Sequence, residues 1–172
     1  IDCGASRHVA PDLIVWRNGK SVFTRQPTTH DERLAAWRAV LVCPTASVRS
    51  ETRQPRPQTT IFPQQVTEGV WRCGFNASSS FGAHSYFVAR PSGNLLVDSP
   101  RFAGDLAKWF QDAGGIAHIL LSHRDDVADA GKYAERFHAR VWIHYDDRSA
   151  APYATDLLEG EGARTIAPGR HI

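Results

Sequence analysis

The apolar run Ile116-Ala117-His118-Ile119-Leu120-Leu121 is followed, after a single serine, by a polar burst of His123, Arg124, Asp125, Asp126 and Asp129. The Gly114-Gly115 pair ends whatever precedes the run, and the run itself has the length and composition of a buried strand. Upstream, Phe102, Leu106, Trp109 and Ala113 fall on one face of a helix that the two glycines terminate. Downstream, Val127, Ala134 and Phe137 mark the apolar face of a second helix, expected from about Val127 to His138, and Arg140 to His144 reads as the next strand. Strand, helix, strand, helix, strand in this order predicts parallel α/β units. It places the polar burst at the carboxyl edge of the sheet, where open α/β folds bind ligands. An imidazole followed by carboxylates is a donor set for a hard or borderline divalent ion.

Composition narrows the partners. The chain has 172 residues, 42% of them hydrophobic and 22% charged, which is ordinary for a globular protein of one or two small domains. A net charge of +2 with both signs interspersed argues against a nucleic-acid surface. No run approaches the roughly 18 apolar residues of a membrane span, and the N-terminus lacks a signal-peptide layout. Cys3, Cys43 and Cys73 are too few for a secreted disulfide framework, so a cytoplasmic protein is expected. There is no methionine, even at position 1, so the chain is expected to be part of something longer.

The first fifty residues read as a unit. Leu13 to Trp16 and Ser21 to Thr24 are strand-like runs around Arg17-Asn18-Gly19-Lys20, whose Asn-Gly pair signals a hairpin. Thr29 and Glu32 have capping-box spacing, and Leu34, Trp37 and Leu41 follow at helical intervals. This predicts a helix from about Asp31 to Val42, delivering Cys43 at its end with Pro44 as the stop. Glu51 to Gln65 is rich in Pro, Gln, Thr and Arg, including Arg53, Pro55, Arg56, Pro57 and Pro63, and reads as a linker. Beyond it, Gly69 to Cys73, Ser85 to Ala89 and Asn94 to Asp98 read as strands, the last two joined by the Pro91-Ser92-Gly93 turn. His30, His138 and His144 read as structural or exposed; His84 precedes a strand and could point at the site, with a surface or hydrogen-bonded structural role as the favoured reading. Past Tyr145 the chain reads as irregular, up to Pro168-Gly169-Arg170-His171-Ile172.

Two resemblances follow from these residues. Asp2-Cys3-Gly4-Ala5-Ser6 with the distant Cys43-Pro44 resembles a single-cluster bacterial ferredoxin, patterned C-x2-C-x2-C and then C-P. The resemblance implies Cys3 and Cys43 as iron-sulfur ligands, with the first ligand before Ile1. The third position is Ser6, and a hydroxyl is a harder, weaker ligand for cluster iron than a thiolate. The iron-sulfur cluster is therefore expected to be absent, with Cys3 and Cys43 as small buried apolar residues.

The string SYFVARPSGNLLVDSP, together with Leu121-Ser122-His123 and the acidic turn, resembles the metallo-β-lactamase fold, whose metal motif is H-x-H-x-D-H. The implied fold class is α/β (α+β overall): a small ferredoxin-like domain at 1–50, a linker at 51–65, and at 66–172 the first half of a metallo-β-lactamase-type αβ/βα sandwich. The implied metal ligands are His123, Asp125 and Asp129, with Asp129 also catalytic and Asp98 supporting the ligands from behind. Asp125 stands where the motif's second histidine would be, and Ala130 where the histidine after Asp129 would be. The Pro168-Gly169-Arg170-His171 end lacks the apolar strand that should precede the family's PGH turn.

Zinc or another divalent metal is the implied cofactor and a small molecule the implied partner. The implied reaction is attack of a metal-bound hydroxide on an ester, thioester or amide. The alternative is a non-catalytic binding or interaction module that has lost both the cluster and the metal centre. Neither substrate nor oligomeric state follows from the residues.

Overall fold

The computed structural model describes residues 2–51, 57, 60–160, 162, 163 and 166. Arg53, Pro55 and Arg56 of the expected linker, and the Pro168-Gly169-Arg170-His171 end, lie outside the described residues.

The N-terminal segment packs a hairpin and two helices. α1 (Ala5–Val9) precedes β1 (Ile14–Arg17) and β2 (Lys20–Phe23), which pair antiparallel. Asn18 and Gly19 both take positive φ, as a tight two-residue hairpin turn requires. α2 (His30–Val42) starts on a complete capping box: the Thr29 hydroxyl accepts the Glu32 N–H, and Glu32 accepts the N–H of Thr29. Ala5, Val9, Leu13, Ile14, Ala39, Leu41 and Val42 form its core, with Leu34 and Trp37 packed at the margin.

Ile61 and Phe62 belong to the same core, so part of the stretch expected as linker is buried. The strand that follows also starts inside that stretch. A seven-stranded mixed sheet dominates the rest, in the order β3 (Gln64–Thr67), β4 (Val70–Arg72), β5 (Tyr86–Val88), β6 (Leu95–Val97), β7 (His118–Leu120), β8 (Arg140–His144), β9 (Asp156–Leu158). The first four strands pair antiparallel and the last four parallel. Two crossover helices, α3 (Gly104–Asp112) and α4 (Ala130–Phe137), connect β6 to β7 and β7 to β8. The fold is mixed α/β around one large sheet, as expected. β9 lies in the region read as irregular; it is tied to β8 by Arg140, whose guanidinium binds the Asp156 carboxylate through two nitrogens.

Leu106, Phe110 and Tyr133 from the helices meet Phe87, Leu96, Ile119, Val141 and Ile143 from the strands, all fully or almost fully buried. Phe110 stacks on Phe87 at 5.3 Å and meets Tyr133 edge-on at 5.7 Å. Each such side chain contributes about 1.5–3 kcal/mol by leaving water, so this layer fixes where β6 and β7 end. Phe75 packs against this core and against the N-terminal one, joining the two. Among the described residues no helix is long and apolar enough to cross a membrane.

Candidate functional site at the carboxyl edge of the sheet

The register aligns Val97 of β6 with Leu120 of β7, and Tyr86 of β5 with Val97. Asp98, the turn after Leu121 and the residues just before Tyr86 therefore emerge at one edge. Asp98 is the brace of that edge. Its carboxylate accepts the Ser122 N–H at 2.8 Å and the Ser122 hydroxyl at 2.9 Å, and its own N–H bonds the Leu120 carbonyl at 2.8 Å. It holds φ of 54°, an uncommon conformation for a side chain with a Cβ, of the kind that clusters at functional sites. Burial raises the Asp98 pKa despite the two bonds to Ser122.

The turn itself is held by backbone bonds. Asp126 N–H donates to the His123 carbonyl at 3.0 Å, and Ser99 N–H donates to the Asp126 carbonyl at 3.2 Å. His123 Nδ1 accepts the Asp125 N–H at 3.2 Å and lies 3.6 Å from the Asp125 carboxylate. Both side chains are about half exposed, so this pair is open to a ligand. Burial and then the neighbouring Asp98 raise the Asp126 pKa, because two carboxylates so near each other resist ionising together.

Asp129 is placed elsewhere. Its carboxylate accepts the Phe102 N–H at 2.7 Å and pairs with Lys132 at 2.9 Å, one turn into α4. Partial burial opposes ionisation, but the Phe102 N–H and Lys132 outweigh it and hold the pKa below the ordinary value. Asp129 thus clasps the approach to α3 onto the start of α4. The structure brings His123 and Asp125 together with Asp126 and Asp98 nearby, and leaves Asp129 outside that group. Among the described residues, no three His, Cys, Asp or Glu side chains converge to hold a metal ion. Ala130, at the position of the motif's next histidine, is fully buried, leaving no room there for an imidazole.

A histidine for which the sequence favoured a structural role, with the site as the alternative, lies at this edge. His84 lines an open cavity of about 360 Å³ with His123, Asp125 and Asp126. Burial, then the positive charge of Arg72 and the proximity of His8, lower its pKa to about 4, so it is neutral at physiological pH. Asn76 donates one amide hydrogen to the Gly82 carbonyl at 2.6 Å and lies 3.2 Å from His84 Nδ1. Its position just before β5 was the available signal, since β5 runs antiparallel to β6 and starts where β6 ends.

The N-terminal cysteines part company. Cys43 is buried at the end of α2, and its sulfur accepts hydrogen bonds from the loop of Thr45, Ser47 and Val48. Burial opposes ionisation there, but those bonds lower the thiol pKa. Cys3 is exposed, not buried as expected, and joins the lining of the 360 Å³ cavity. Ser6 is buried and donates to the Ala39 carbonyl at 3.1 Å, inside the core.

Residues 1–50 match the family described as the 4Fe-4S single cluster domain of Ferredoxin I. No curated protein matches the chain by sequence. Solved structures similar to it are metallo-β-lactamases. The Cronobacter sakazakii enzyme with an HARLDQ motif is 15% identical at a TM-score of 0.49, over 60% of this chain and 50% of that one. BJP-1, a subclass B3 enzyme of Bradyrhizobium japonicum, is 12% identical at 0.48, over 61% and 48%. GOB-18 from Elizabethkingia meningoseptica is 11% identical at 0.46, over 69% and 55%. The chain spans about half the length of the solved metallo-β-lactamases it matches.

Proposed function

We propose that the carboxyl edge of β6 and β7 is a small-molecule site of the metal-dependent hydrolase type with a degenerate metal centre, acting on an ester, thioester or amide. The observation that carries this reading is the grouping of His84, His123, Asp125 and Asp126 around an open cavity, with Asp98 bracing the turn through Ser122 and its charge acting on Asp126. A divalent ion, when bound, would supply a hydroxide nucleophile near neutral pH. The expected set of His123, Asp125 and Asp129 does not fit such an ion as it stands, because Asp129 is committed to Phe102 and Lys132. His123 and Asp125 are the pair open to one, and no catalytic step is assigned through it.

The chain's own residues do the following. Asp98 fixes the strand end and the Ser122 turn, so that His123 is presented at the cavity. With Nδ1 accepting the Asp125 N–H, Nε2 is the His123 nitrogen left to bind an ion. Asp126, whose pKa burial and then Asp98 raise, holds a proton more readily than an ordinary carboxylate. The diversion of Asp129 favours a second reading, a binding module that keeps the cavity without the chemistry.

Zinc titration followed by thermal unfolding separates the two. A native-state site adds stability by mass action, about 2.7 kcal/mol at a hundredfold excess over Kd. We expect zinc to raise the melting temperature of the wild type, and His123→Ala to remove that rise while leaving the metal-free melting temperature nearly unchanged. A wild type that does not respond to zinc would leave the binding module as the reading.

A further inference from the structure

The cavity at the sheet edge has two walls of different origin. His123, Asp125 and Asp126 form one; Cys3, Ser80 and His84 stand on the other. Cys3 comes from the N-terminal segment, and its place there is built. Gly82 has φ of +85°, and a Cβ on it would stand 2.6 Å from the Cys3 sulfur and 3.2 Å from the Pro44 ring. Only glycine lets both cysteine loops of that segment rest on this point.

Further ties hold the segment in place. Arg72, itself buried, reaches His8 Nε2 at 3.1 Å, and the His8 ring meets His84 edge-to-face at 5.1 Å. Arg101 donates to the Leu41 carbonyl at 3.4 Å. Ser6, at a thiolate position of the ferredoxin pattern, is spent on Ala39. A cluster at Cys3 does not fit this arrangement, since one of its corners has become a core hydrogen bond and Cys3 faces the cavity.

A separate feature of the same wall points to a ligand. Ser80 lines the cavity and is 3% exposed, and among the described residues neither its hydroxyl nor Nε2 of the neighbouring His84 has a hydrogen-bond partner. A buried polar atom left unpaired costs about 1–3 kcal/mol, and native proteins rarely group several without something to answer them.

We propose that the N-terminal segment serves as a wall of this site, and that residue 3 limits the size of the acyl group the cavity accepts. This rests on the reading of the edge as an acyl-substrate site. The Cys3 thiol is a small, weakly polar surface at the mouth, suited to a short uncharged acyl chain. Cys3 is a specificity-determining residue in this account.

The test uses acetamide and butyramide as unreactive carbonyl probes, titrated with chelator present and followed by the NMR signals of His84, His123 and Ser122 to Asp126. Both amides should shift those signals saturably. Alkylating native Cys3 with N-ethylmaleimide, or substituting Cys3→Phe, should weaken butyramide by about tenfold or more and acetamide much less. Cys3→Ser should behave as wild type. The maleimide adduct is made on folded protein, so a folding defect in Cys3→Phe does not decide the result.

Absence of amide binding in the wild type, or equal binding before and after alkylation, would overturn the proposal. So would a stoichiometric four-iron cluster on anaerobic reconstitution that Cys3→Ser abolishes. Amide binding without any zinc response would sink the hydrolase reading and leave this proposal standing; a zinc response without amide binding would do the reverse.

Discussion

The ferredoxin-like segment and the edge of the large sheet share one feature and differ in another. In each, one position of an expected donor set makes a structural bond: Ser6 to the Ala39 carbonyl, Asp129 to the Phe102 N–H and Lys132. What is left differs. The N-terminal segment has settled its polar groups, with the Cys43 sulfur enclosed by the hydrogen bonds of its own loop. The edge has not, since Asp98 and Asp126 remain close together with raised pKa values. Like charges held this close oppose one another, which is what the proposed ligand at the edge would relieve and what the N-terminal segment does not show at Cys43.

The largest effect that would break this comparison is on Asp129. If it is a clasp, Asp129→Ala should destabilise the metal-free protein by about 1–2 kcal/mol, because it removes the charged acceptor of the Phe102 N–H and the partner of Lys132. His123→Ala should stay within about 0.5 kcal/mol. Urea unfolding of the two variants checks the ranking, and the reverse order would make His123 the structural residue.

The seam between the two regions should show in pH dependence. The folded-state pKa of His84 lies below its unfolded value of 6.5, so the folded state binds fewer protons. Stability present above about pH 6.5 should be lost as pH falls toward about 4. Arg72 and His8 tie α1 to this histidine, so the N-terminal segment should loosen first. His84→Gln, which cannot titrate, should flatten the acid limb; an unchanged limb would assign the loss to other groups.

A smaller effect is expected at Asp126. Its raised pKa makes the sign opposite: stability is present at acid pH and lost as pH rises through the carboxylate range. Asp126→Asn should therefore stabilise the metal-free protein at neutral pH by about 0.5 kcal/mol and leave it unchanged at acid pH. Stabilisation that persisted at acid pH would point to packing instead of charge.

These residues also show how far the sequence could be read. Local chemistry was legible where it was self-contained: the Asn18-Gly19 turn, the Thr29 and Glu32 capping box, and the β8 boundaries all follow from adjacent residues. β3 and β9 were missed because edge strands need only one ladder of hydrogen bonds, and Gln64–Thr67 and Asp156–Leu158 carry little apolar alternation. Ile61 and Phe62 were hidden in a Pro/Gln/Thr composition although both are buried. The proximity of His123 to Asp125 could be read from two positions of separation. The diversion of Asp129 could not, because its partner Phe102 lies 27 residues away. Nor could the wall of the cavity, which depends on Gly82 seating Cys3.

Under the proposed function, Asp129 serves the fold and His123 serves the metal site. Zinc titration of Asp129→Asn and His123→Ala against wild type, followed by calorimetry at a pH where all three are folded, tests it directly. Asp129→Asn should bind zinc with wild-type affinity while unfolding more easily, and His123→Ala should not bind it. Loss of zinc binding in Asp129→Asn, with its stability intact, would return Asp129 to the ligand set and contradict the account.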